Sequence, residues 1–189
     1  MSAQGLVKTG VPPQPLWLLY IKIAIIVLSL VTLGLGAWAV DMWGGYYWYG
    51  GSYSGTGGMV IFTSILSFIV YGVAIGLELA APHFFFRIAA FIGYVLHIIF
   101  WLSAWAWSAS AAAWSGGNYA AATGGSAGIG ALIWVLSIVH LVFFVRACMA
   151  DPNGNTASQA ELGQVPKPVG QQQYPAQQAY PVQQPYATQ

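Results

Sequence analysis

Five ionisable side chains, Lys22, Glu78, Arg87, His97 and His140, interrupt runs of otherwise apolar sequence. A charge held in lipid is costly, so each such group is a candidate for proton relay, ion passage or ion pairing. Their spacing sorts them. Glu78 and Arg87 flank a short connection and are expected to pair across it as a structural ion pair. Lys22 lies about 9 Å inside the start of its apolar run at 1.5 Å per residue, a depth that a lysine stem spans by snorkelling. His97 is ten residues beyond Arg87 and so about 15 Å deep, where a neutral imidazole needs a backbone carbonyl or a Ser or Thr hydroxyl on a neighbouring helix. His140 is six residues before Arg146 and is expected near the interface. With no second acid at depth and no Cys/His cluster, neither histidine forms a metal site by spacing. A packing role outweighs a catalytic one. No nucleophile, acid and base can be assembled into a catalytic set, so catalytic, cofactor and metal sites are all read as none and the chain is not expected to be an enzyme.

The elements that must position these residues are four apolar runs, each about the 20 residues that a bilayer crossing needs. They are read as helices at 16–40, 59–79, 84–108 and 127–145. The 189 residues are 58% hydrophobic and 5% charged, which leaves room for one four-helix bundle and no soluble catalytic domain. Lys8, Lys22, Arg87, Arg146 and Lys167 all fall on one side of the predicted spans, and the two connections on the other side contain no Lys or Arg. That asymmetry predicts cytosolic N- and C-termini and an M-shaped path. A competing reading of the start is a cleaved signal peptide, with Ile23 to Leu35 as its apolar core and Ala37-Trp38-Ala39 as the cleavage site. Against it, the apolar stretch begins at Leu16 and is long enough to span. A net charge of +1 gives no basic face for nucleic acid.

Between the helices, Trp43 to Tyr53 is a Trp/Tyr/Gly segment suited to the headgroup layer. Ala80-Ala81-Pro82-His83 forces a tight hairpin between the second and third spans, and Ala109 to Ser126 is read as a plain outer loop. Residues 1–15 hold three prolines and two glycines and are expected to be a flexible lead-in. From 148 to 189 hydrophobicity collapses, the last 20 residues being nearly all Gln, Pro, Tyr and Ala with Tyr174-Pro175 and Tyr180-Pro181 as an imperfect repeat, and the segment is expected to be a disordered cytosolic tail. Gly72-x-x-x-Gly76, Ala104-x-x-x-Ser108 and Gly124-x-x-x-Gly128 offer close helix approach, within the chain or between copies, and Gly72 and Gly76 are the preferred packing pair. Cys148, the one cysteine, is two residues past Arg146 and is a candidate for S-palmitoylation, though an unmodified thiol is as fair a reading.

Four spans, a short inner hairpin, uncharged outer loops, the segment His97-Ile98-Ile99-Phe100-Trp101-Leu102-Ser103-Ala104-Trp105-Ala106-Trp107 and a Gln/Tyr/Pro tail together resemble the MARVEL-domain family, particularly its fungal members, over 16–147. The tail is similar to the tyrosine-rich repeats of the synaptophysin relatives. The resemblance implies a non-enzymatic protein of the plasma membrane or of secretory and endosomal vesicles, associated with sterol-rich lipid and with microdomain organisation or vesicle trafficking. Partners would be lipids, further copies of the chain and cytosolic proteins gathered by the tail. The rival reading is a small transporter or channel subunit, which would normally gather several polar groups at the midplane.

Overall fold

The computed structural model describes residues 4–44 and 55–151, and among them the chain is all-helical. A short helix α1 (Gln4–Val7) precedes four long ones: α2 (Trp17–Gly44), α3 (Thr56–Ala80), α4 (Arg87–Trp114) and α5 (Gly117–Ala150). All four long helices are long and apolar enough to cross a membrane. A single 3-10 turn at Pro82–Phe84 joins α3 to α4. The aromatic run expected in the headgroup layer falls largely at 45–54, and the tail at 152–189, both outside the described residues.

The helices stand in a square. Each packs on two neighbours, α2 on α3 and α5, and α4 on α3 and α5, while contact across the diagonals is slight or lacking. Hairpin connections require this order, because a helix followed by a short turn must return beside its predecessor. The chain leaves one end of the bundle in α2 and comes back to it in α3. It then leaves and returns again in α4 and α5. Residues 4–16, the α3–α4 turn and Asp151 therefore meet at one end, where the ion pairs also lie.

The inward face has its own periodicity. In α2 the buried positions are Leu18, Lys22, Ile25, Ser29, Thr32, Gly36 and Ala39, in α4 they include Tyr94, His97, Trp101, Ala104 and Ser108, and in α5 Ser126, Gly130, Ile133, Ser137, His140 and Phe144. Steps of three and four alternate, which is the 3.5-residue repeat of helices wound left-handedly on one another. The stripe is rich in small and hydroxylated residues, while Ile, Leu, Val and Phe crowd the outward faces. An apolar surround makes this inversion stable: lipid supplies no hydrophobic drive for leucine to turn inward, whereas small residues permit close backbone approach and hydroxyls bond their own helix. Thr32, Thr63, Ser64, Ser67, Thr123, Ser126 and Ser137 all bond carbonyls three or four residues back. Thr32 and Ser64 also meet across the α2–α3 contact at 3.1 Å.

Several expectations are corrected. Gly72 and Gly76 are exposed, and a Cβ built on either meets nothing within 4 Å, so they take no part in packing within the chain. Among the glycines of the four long helices the tightest approach is between α2 and α3, where a Cβ on Gly57 would stand 2.7 Å from Val40 Cγ2 and 3.0 Å from the Gly36 carbonyl oxygen. The outer loop expected at Ala109 to Ser126 shrinks to Ser115 and Gly116, because its alanines extend both helices; Gly117, at φ 62°, turns the corner in a conformation costly for other residues. The lead-in expected to be flexible forms α1 and an extended strap whose Thr9 pairs with Phe86.

Gly57→Leu should therefore lower bundle stability by about 1–3 kcal/mol, the usual cost of forcing side chains into a filled contact. Gly76→Leu should change it by less than about 0.5 kcal/mol, as surface changes do. Thermal unfolding in detergent compares the two, and equal losses would contradict the packing described.

Candidate functional site

At the end where the chain termini of the bundle meet, Arg87 is fully buried at the start of α4. A guanidinium presents a planar fork of five donors and stays charged, so burial demands that the fork be filled. Nη2 donates to Asp151 Oδ2 at 2.8 Å and Nη1 to the Asp151 and Gly5 carbonyls, each at 3.1 Å. Nε donates to the Gly10 carbonyl at 2.8 Å. Gly10 adopts φ 97°, a conformation that few side chains tolerate, and this lets its N–H reach the Phe85 carbonyl at 2.8 Å while its own carbonyl turns to Arg87. One side chain thus joins the strap, the α3–α4 turn and the end of α5.

Lys22 and Glu78 form the second pair. Lys22 is 1% exposed and its Nζ lies 2.5 Å and 2.6 Å from the two Glu78 oxygens and 3.2 Å from Gln14 Oε1. The expected Glu78–Arg87 pair does not form, and Lys22 does not snorkel. Both acids take cations from other helices, because Lys22 and Glu78 lie on the facing stripes of α2 and α3 while Arg87 points at Asp151 on α5. Neither partner could have been chosen from proximity in the sequence. The strap and these two helices enclose an open vestibule of about 200 Å³, with Lys22 and Glu78 among its lining.

Further in, His97 on α4 bridges two helices. Its Nε2 is 2.8 Å from Ser67 Oγ on α3 and its Nδ1 is 3.2 Å from Ser137 Oγ on α5. Trp101 Nε1 also donates to Ser67 Oγ, at 2.9 Å. Beside the imidazole stands an aromatic cluster that no spacing along the chain announces: Tyr71 is edge-on to His97 at 5.0 Å and stacked on Tyr94 at 5.3 Å, and His140 is edge-on to Tyr94 at 4.6 Å and to Tyr71 at 5.4 Å. His140 was expected near the interface. It is instead fully buried, since α5 continues to Ala150 and carries it ten residues inside its end. Within the described residues no three His, Cys, Asp or Glu side chains gather to hold a metal ion.

Cys148 lies in the core beneath α1, fully buried, rather than presented towards a leaflet. Helix α1 approaches so closely that a Cβ on Gly5 would overlap the Cys148 carbonyl. No family model matches the chain, and the comparisons with curated proteins and with solved structures return no match. What the molecule itself defines is a four-helix bundle of membrane-crossing length with a charged clasp at one end and a bonded polar interior.

Two outcomes follow from the clasp. Arg87→Gln should release the strap, and maleimide labelling of Cys148 in native micelles, slow in the parent, should become fast. Removing one partner of the second pair, as in Lys22→Met, should destabilise by about 1–3 kcal/mol because Glu78, only partly open to the vestibule, is left unpaired, while Lys22→Met combined with Glu78→Leu should recover most of that loss. Additive losses in denaturant unfolding would show that the two residues do not act as a pair.

Proposed function

We propose that this chain is an integral multi-pass membrane protein that organises membrane microdomains or vesicle traffic by lipid contact and by partners gathered on its tail, with the clasped end in the cytosol. One observation carries the reading. On the outward face between α3 and α4 an apolar groove of about 230 Å³ opens towards the surround, lined by Ile69, Val73, Leu77, Phe86, Ala89 and Gly93 among others. Its shape and lining suit an acyl chain or the flat face of a sterol, held by dispersion and by small residues that let the ligand close on the backbone. The reading accords with the resemblance to the MARVEL-domain family. Gly72 and Gly76, flush on the outward side of α3, leave a face on which a second copy could approach closely.

The rival class, a small transporter or channel subunit, draws on the polar stripe that lines the inside of the bundle. It is the weaker reading because those hydroxyls are largely spent on their own helix carbonyls.

Gly93→Leu tests the groove. A Cβ at this position has only ordinary contact with Val70 and the rest of the side chain enters the open groove, so the fold should survive. Cross-linking of a photoreactive sterol or phospholipid to α3 and α4 should fall several-fold, and unchanged cross-linking would refute lipid contact at this place. For the tail, truncation must spare Asp151, which the clasp uses; a chain ending there should stay inserted while its patches in the membrane disperse. Patches that persist would remove the tail from the account.

A further inference from the structure

The interior cluster contains polar atoms that the protein leaves unanswered. Tyr94 Oη and both ring nitrogens of His140 are buried without a hydrogen-bond partner, and Tyr71 Oη lies towards Ser137 without closing a bond of ordinary geometry. A buried polar atom left unpaired costs about 1–3 kcal/mol, and clusters of such atoms in native proteins are usually met by ordered water or by a function. All four belong to rings in mutual contact.

The count of hydrogens at His97 points the same way. Ser67 Oγ is 2.9 Å from the Thr63 carbonyl as well as 2.8 Å from Nε2, and Ser137 Oγ is 2.7 Å from the Ile133 carbonyl as well as 3.2 Å from Nδ1. Each hydroxyl has one proton to give. A neutral imidazole donates from one nitrogen only, so the serine on the other side must choose between the ring and its own helix. An imidazolium donates to both serines, both serines then donate to their carbonyls, and Ser67 still accepts from Trp101. Every contact at this site is satisfied together only when His97 carries two ring protons.

From the vestibule between the strap, α2 and α3, a line of exchangeable groups leads to that ring. Glu78 forms part of the vestibule lining and stands seven residues, or two helical turns, from Tyr71 along α3, while Tyr94, His140, Tyr71 and His97 follow one another at ring separations of 4.6, 5.4 and 5.0 Å. We propose that His97 is the inner station of a proton-uptake path that enters at the clasped end and runs through Glu78, Tyr94, His140, Tyr71 and Ser137, whose hydroxyl gives its proton to Nδ1 and takes one from the Tyr71 side, with buried water completing the unpaired atoms. One proton leaves water in the vestibule and one N–H bond forms at His97. Each intermediate group releases a proton as it accepts another, and no electron moves. His97 is met by Ser67 and Tyr71 from α3, Ser137 from α5 and Trp101 from its own helix, with the titratable His140 of α5 and Tyr94 of α4 one ring further off and the Lys22–Glu78 pair of α2 and α3 beyond them. The inference is independent of lipid contact at the α3–α4 groove.

The test is nitrogen NMR of the full chain in phospholipid nanodiscs with imidazole-labelled histidine. The chain has three histidines, of which His83 is exposed and serves as a water-facing reference. As the pH is lowered from about 8 to about 4, both His97 nitrogens should move to the protonated position and return on reversal. Tyr94→Phe, which keeps the ring and removes the hydroxyl, should slow exchange of the His97 ring protons with water by about tenfold or more. A circular dichroism spectrum identical to the parent's confirms that the variant is folded, and Tyr71→Phe provides a second variant if it is not. A single neutral tautomer throughout the range, protonation of His140 with His97 left neutral, or exchange unchanged in the folded variants would each overturn the proposal.

Discussion

A guanidinium withdrawn from water at the end of a helix bundle has to be surrounded by acceptors, and the arrangement of this molecule depends on how that demand is met. Arg87 begins α4, yet its acceptors come from Gly5, Gly10 and Asp151, the two extremes of the described chain. The strap offers its carbonyls to the guanidinium, and α5 ends where its C-cap residue Asp151 supplies the carboxylate. The Lys22–Glu78 pair closes the neighbouring corner by the same logic, with Gln14 of the strap on the ammonium. Ion pairs buried in this way cost nearly as much desolvation as they return in attraction, so their main effect is to fix which helix stands beside which.

Away from the clasp the same economy of polar groups governs the interior. Hydroxyls in the stripes mostly answer to their own backbone, and this leaves helix–helix contact to small residues and to a few side chains that reach across, Ser64 to Thr32 and His97 to Ser67 and Ser137. Close approach is concentrated where Gly36 meets Gly57 and where Gly130 faces Trp101 and Trp105. Between these contacts and the clasp the aromatic cluster of Tyr71, Tyr94 and His140 fills the bundle with rings whose polar ends are not consumed. The outside is left to apolar side chains and to the shallow groove between α3 and α4.

The four spans were legible because about twenty apolar residues in a row admit few other readings. Their ends were not: the alanine and glycine stretches from Ala109 to Ser126 are neither strongly apolar nor strongly polar, and only the structure shows that they continue α4 and α5. Partners of the buried charges were misread because Glu78 and Arg87 are close in sequence, whereas the real pairs are 56 and 64 residues apart. Gly72 and Gly76 carry a motif that reads equally well on either face of a helix. The inner face was encoded elsewhere, in polar and small residues at steps of three and four such as Lys22, Ser29, Thr32 and Gly36, a signal that a search for apolar stripes passes over. His97 was found because a lone imidazole deep in an apolar run must have a partner, but no rule of spacing names Ser67 and Ser137.

The reach of Arg87 also sets an order of events during synthesis. Gly5 and Gly10 leave the ribosome long before Arg87, and Asp151 long after it, with the whole of α5 between. Until that last helix is made, the guanidinium lacks its counter-ion and the strap lacks part of its seat, so the first three helices cannot settle into their final arrangement. The clasp is therefore a device for late closure: it locks only when the fourth helix has arrived, and a chain interrupted earlier carries at that end an unmatched charge by which it can be told from a finished one.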